Sequence, residues 1–146
     1  MPAPLFLIPI AVGLLTQALK PLLNRQFYAT LKEDGSRVPR YGGMPSAHTA
    51  FAVSLVTVVG WVDGITTTSF VLASALLILI LDDALRMRMF LGHYGRALYQ
   101  LIEKLPAEER AAFPYLERRL GHTPLEVVVG AIVGGLFSFL LLFFLA

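Results

Sequence analysis

The sequence predicts an all-α membrane protein, a polytopic bundle of about four transmembrane helices with an interfacial amphipathic helix. Three observations predict it. The mean hydropathy is +0.69, and 56% of the 146 residues are hydrophobic, above the roughly 45–50% of ordinary soluble domains. The excess is gathered into four runs free of charge: Leu5 to Leu19, Phe51 to Val62, Phe70 to Leu81 and Val127 to Leu145. All 12 Lys and Arg fall between Lys20 and Arg119, outside those runs.

With their flanks, the runs reach about 18–23 residues each, enough to cross a hydrocarbon core of about 30 Å at about 1.5 Å per residue. Backbone groups in lipid must pair internally, so each span is expected to be a helix. The first run has no basic residue before it and no small-x-small cleavage site before Lys20, so it reads as a retained span. The whole chain, 1–146, reads as one domain. With no cysteine, disulfides, thiolate nucleophiles and Cys-based metal sites are excluded together.

Four spans place the segments Lys20–Tyr41 and Arg86–Gly121 on one side of the membrane, and these hold every basic residue. The positive-inside rule puts both loops in the cytoplasm and both termini outside. The formal net charge of +2 is therefore a topology signal, with attraction to anionic headgroups or phosphates, rather than a sign of nucleic-acid binding. In the second loop, Tyr94, Ala97, Leu98, Leu101, Ile102 and Leu105 recur at helical spacing, with Arg96, Gln100, Glu103 and Lys104 between them. This is the amphipathic helix expected at the interface. Gly130-Ala131-Ile132-Val133-Gly134 is a GxxxG in the last run; packing within the chain is the favoured reading, pairing of two chains the other.

Polar residues cluster at three span ends: Gly42-Gly43-Met44-Pro45-Ser46-Ala47-His48, Asp82-Asp83-Ala84-Leu85-Arg86-Met87-Arg88, and Gly121-His122-Thr123-Pro124-Leu125-Glu126. The charge-derived topology puts all three at the cytoplasmic end, where they can converge. Gly42 and Gly43 free the backbone to approach a ligand, and Pro45 suits a helix's first turn. Free N–H groups there, with the Ser46 hydroxyl, suit a phosphate; the plainer role for Ser46 is a helix cap. His48, just inside a span, is an intramembrane titratable group and so a functional candidate. Glu126, four residues after His122, can orient its imidazole. It also completes a capping box with Thr123 as N-cap and Pro124 at N1. Asp82, Asp83, Arg86 and Arg88 read either as a snorkelling ion-pair cluster or as a phosphate ligand, Arg88, with Asp83 as its partner. His93 stands without a supporting motif.

Pro45-Ser46-Ala47-His48 resembles the Pro-Ser-Gly-His motif of the type-2 phosphatidic acid phosphatase superfamily, and His122 with Glu126 resembles the His-x3-Asp end of that superfamily's third motif. The combination of Gly42 to His48, Asp83 with Arg88, and Gly121 to Val127 is more specific. It resembles the small divergent membrane branch of the superfamily, over roughly Lys20 to Gly134.

The resemblance implies a nucleophilic His122 that forms a phosphohistidine, oriented by Glu126, with His48 as general acid and Ser46 and Gly43 at the phosphate. It implies no metal cofactor, because fixed cations and helix N–H groups stabilise the transferring phosphoryl group. The superfamily's first motif, Lys-x6-Arg-Pro, is absent; Lys20 is a substitute by position, and Arg88 for the missing third-motif Arg. The expected activity is hydrolysis of a phosphate or diphosphate monoester on a membrane lipid, isoprenoid or glycerolipid. A headgroup-binding protein without turnover, a small transporter subunit, and a metal site of His48, His122 and Asp83 are the rival readings. Four spans offer fewer packing surfaces than the superfamily's six-helix core, so a homodimer is a candidate assembly.

Overall fold

The computed structural model describes residues 5–23, 30–31, 37–38, 43–110, 112–113 and 123–145. Helix α1 runs over Leu7–Leu23, α2 over Ala47–Val62, α3 over Thr68–Asp82, α4 over Arg88–Ile102, α5 over Ala107–Arg110 and α6 over Pro124–Leu145. A π-helical turn, Asp83–Met87, joins α3 to α4. Between α1 and α2 lies a two-stranded antiparallel ribbon, β1 (Thr30–Leu31) and β2 (Arg37–Val38), pairing Thr30 with Val38 and Leu31 with Arg37. The architecture is the helical membrane bundle that the apolar runs predict.

Local chemistry sets the helix starts. The Ser46 side chain accepts from the Thr49 N–H at the head of α2, and that of Thr67 accepts from the Phe70 N–H at the head of α3. Each thereby satisfies one of the backbone donors that a helix start leaves over. The turn between α2 and α3 uses Gly64 at φ +93°, where a side chain would be strained. The Thr67 hydroxyl donates to the Gly64 carbonyl at 2.8 Å.

Helix α2 is the hub: α1, α3 and α6 all pack on it, and α1 also touches α6. The α2–α6 contact follows from residue size. Ser46, Ala50, Ser54 and Val58 form an i, i+4 stripe on one helix, and Gly130, Gly134, Ser138 and Leu142 form one on the other; all eight are buried. The backbones come so close that a Cβ on Gly130 would sit 2.5 Å from the Ser46 carbonyl oxygen, and one on Gly134 would collide with the Ala50 backbone. The two helices run parallel and in register, because residue 46 meets 130, 50 meets 134 and 54 meets 138. The GxxxG is thus spent within the chain, as the favoured reading had it.

Between them, the Ser138 hydroxyl lies 2.6 Å from both the Ser54 hydroxyl and the Gly134 carbonyl oxygen, satisfying polar groups that lipid would leave unpaired. Helix α1 is antiparallel to α2. Leu5, just ahead of α1, and Ile8 in its first turn join Val58 and Leu142 in the core, while Gly13 lies against Phe51.

Among the described residues, two helices are long and apolar enough to cross a membrane: the continuous stretch Thr68–Ile102 and Pro124–Leu145. The apolar helices α1 and α2 are shorter, at 17 and 16 residues. The amphipathic segment is helical, as expected, but it does not begin as a new helix after a loop. Asp83 and Met87 both keep right-handed helical dihedrals, and no Pro or Gly interrupts residues 80–91, so the α3 helix passes through the π turn into α4.

Trp61, the single tryptophan, packs edge-on against Phe139 with ring centroids 6.1 Å apart and reports on this seam. Gly134→Ala is expected to lower unfolding stability in detergent by about 1–3 kcal/mol through overpacking, read by Trp61 fluorescence. Gly135→Ala, whose added Cβ would meet only a Val53 methyl at an ordinary 3.7 Å, is expected to stay within about 0.5 kcal/mol of the parent.

Candidate functional site

The same seam brings two of the polar clusters together. The Ser46 N–H donates to the Glu126 carbonyl at 3.0 Å, so the loop ahead of α2 is tied to the first turn of α6. The π turn that carries Asp83 and Arg86 also packs against α6, bringing the third cluster to the same end. Lys20, in the last turn of antiparallel α1, is buried at that end of the bundle. A Lys is almost never fully buried without partners, and Lys20 has an interaction there. Two parallel helix starts side by side direct two positive dipole ends to one place, with a buried ammonium on a neighbouring helix.

Ser46 is fully buried. Its Oγ accepts from the Thr49 N–H at 3.4 Å and from the Thr49 hydroxyl at 2.9 Å, so in this state it serves as the cap of α2. Gly43 takes φ +86°, the left-handed region that glycine permits, and turns the chain into Met44 and Pro45. His48 is exposed. Residues two apart on a helix do not share a face, so His48 lies on a different side of α2 from Ser46, which faces α6.

Glu126 performs the capping role that its spacing predicts. Its Oε2 accepts from the Thr123 N–H at 3.0 Å, and the Thr123 Oγ1 accepts from the Glu126 N–H at 3.3 Å. Among the described residues, the bond from the Thr123 N–H engages one of the two Glu126 carboxylate oxygens. Asp82 and Arg86 form an exposed i, i+4 ion pair at 3.2 Å, a contact of small energetic weight that matches the snorkelling reading for these two residues. Asp83 is half-buried at the head of the π turn. His122 and the side chain of Arg88 lie outside the described residues. His93 is exposed on α4.

Sequence reasoning missed three features: the docking of Ser46 on Glu126, the buried Ser54–Ser138 pair and the π turn. The first two had a signal, the matching i, i+4 stripes of small residues on two helices. The π turn had none beyond the close spacing of Asp83, Arg86 and Arg88.

The chain belongs to the divergent PAP2 family, whose description it matches over residues 2–137. It is similar to the uncharacterized membrane protein YuiD of Bacillus subtilis (strain 168), with 29% identity over 130 residues that cover 82% of each chain. No solved structure matches it.

Thr123→Ala is expected to cost about 1 kcal/mol through loss of the α6 cap, visible as faster amide hydrogen exchange in the first turn of α6. Glu126→Gln, which keeps an acceptor at the third helical position, is expected to leave that exchange near the parent rate.

Proposed function

We propose that the chain is a membrane-embedded, metal-independent lipid phosphatase that hydrolyses a phosphate or diphosphate monoester through a phosphohistidine on His122. The observation that carries this reading is the backbone bond from Ser46 to Glu126. It ties Ser46, at the head of the helix that carries the Pro-Ser-Ala-His motif, to Glu126 in the first turn of α6, and membership of the divergent PAP2 family supports a phosphatase-related reading.

In this reading His122 attacks the phosphorus and the lipid alkoxide, or the lipid monophosphate of a diphosphate substrate, leaves with a proton from His48. Glu126 holds the imidazole with the oxygen its cap does not use. Lys20, Arg88 and the N–H groups near Gly43 and Ser46 stabilise charge on the phosphoryl oxygens, and Asp83 orients Arg88. Water then hydrolyses the phosphohistidine, releasing phosphate and restoring the neutral imidazole. The lipid tail stays between helices. The concentration of basic residues in the segments 20–41 and 86–121 supports a cytoplasmic site with both termini outside.

The test is phosphate release by the purified, detergent-solubilised protein, with and without EDTA. The substrates are farnesyl diphosphate, a long polyprenyl diphosphate, phosphatidate and phosphatidylglycerophosphate. Release that survives EDTA and is lost in His122→Ala is expected, and the preferred lipid names the substrate class. His48→Ala is expected to lower kcat by about 10²–10⁴-fold, the usual weight of a general acid. Glu126→Gln should lower turnover while leaving stability intact. Phosphate-lipid binding without release from any substrate would instead favour a headgroup-binding protein.

A further inference from the structure

Thr49 uses its hydroxyl differently from Thr16 and Thr57. Inside a helix a threonine hydroxyl commonly bonds a carbonyl one turn back. Thr16 does so with the Val12 carbonyl at 2.6 Å, and Thr57 with the Val53 carbonyl at 2.8 Å. The Thr49 hydroxyl instead donates to the Ser46 hydroxyl at 2.9 Å, and both residues are fully buried.

The consequence falls on Ser46. A serine hydroxyl has two lone pairs that accept and one proton that it donates. Thr49 engages the Ser46 oxygen twice, through its backbone N–H at 3.4 Å and through its hydroxyl. What is left to Ser46 is its proton, and no hydrogen bond among the described residues uses it. Buried polar groups are nearly always partnered, so a donor held in this way calls for an acceptor.

That restricts the chemistry open to the side chain. An oxygen with both lone pairs engaged offers none for attack on phosphorus or for taking a proton. It can only give a hydrogen bond, and its complement is an anion rich in acceptor oxygens, as a phosphoryl group is. The ammonium of Lys20, buried at the same end of the bundle, favours the same charge.

Resting on the phosphatase reading above, we propose that Thr49 is a positioning residue. It locks the Ser46 hydroxyl as a donor to the phosphoryl oxygens and thereby leaves the attack on phosphorus to His122.

The test compares Thr49→Val, which keeps the shape and removes the hydroxyl, with Thr49→Ser, which retains it. Binding of inorganic phosphate and of phosphatidate in detergent micelles is measured by titration calorimetry on the full chain, beside phosphate release from the preferred lipid. Thr49→Val is expected to weaken binding of both ligands about tenfold, the weight of a hydrogen bond to a charged group, and to lower kcat/KM with it. Thr49→Ser is expected to stay near the parent. In a Ser46→Ala background Thr49→Val is expected to add nothing, because its effect passes through Ser46; should that background not fold, the valine and serine variants still decide.

Parent-like binding and turnover in folded Thr49→Val would overturn the proposal, as would an equal loss in Thr49→Ser or a further loss in the double variant. A parent that binds and releases no phosphate would defeat the phosphatase reading and this inference together. An active parent matched by Thr49→Val would defeat this inference alone.

Discussion

The close approach of α2 and α6 is the contact on which the remaining geometry rests. It exists because one helix offers Ser46, Ala50 and Ser54 at four-residue spacing and the other offers Gly130, Gly134 and Ser138. In lipid, apolar side chains gain little by leaving one hydrocarbon for another, so helices associate through dense packing and interhelical hydrogen bonds. Both are present here. The glycines let one backbone lie on the other, and the Ser54–Ser138 pair fixes the axial register. That register in turn sets Ser46 against the Glu126 carbonyl.

The site inherits its character from this packing. Because α2 and α6 are parallel, both motif-bearing starts lie at one end, and antiparallel α1 returns Lys20 to it. The field there is assembled from two helix dipoles and a buried ammonium, a combination suited to an anion in a region with little water. Two groups carry structural duties already: Ser46 caps α2 and Glu126 caps α6. The same atoms that would meet a substrate thus fix the positions of the helices that present them. Residues at these positions bear on folding and function together, so stability and turnover have to be measured side by side for each substitution.

Much of this was legible in the sequence, for identifiable reasons. Runs this long without charge exceed what a spanning strand needs and suit helices in a bilayer, and the confinement of every basic residue to two segments gave a consistent side to the polar clusters. The capping box at Thr123 to Glu126 depends on neighbours in the chain, so its spacing sufficed. Ser46 as partner of Glu126 depends on a contact between helices 80 residues apart, which single-sequence periodicity does not report. The GxxxG at Gly130 and Gly134 signals that a close contact is available, but its partner stripe on α2 contains alanine and serine in place of glycine and carries no such signature. The continuation of α3 into α4 is not legible, because Asp82, Asp83, Arg86 and Arg88 mark the edge of the apolar run; charge ends a span without ending a helix.

Trapping the intermediate tests the central claim most directly, that the seam assembles a histidine phosphotransfer site. Protein mixed with lipid diphosphate carrying a labelled terminal phosphate is quenched within the first turnover and mapped. The account predicts label on His122 that is stable to alkali and labile to acid, absent in His122→Gln and diminished in Gly134→Val, where the two helix starts are forced apart. Phosphate release without a labelled protein, or label that persists in His122→Gln, would contradict it.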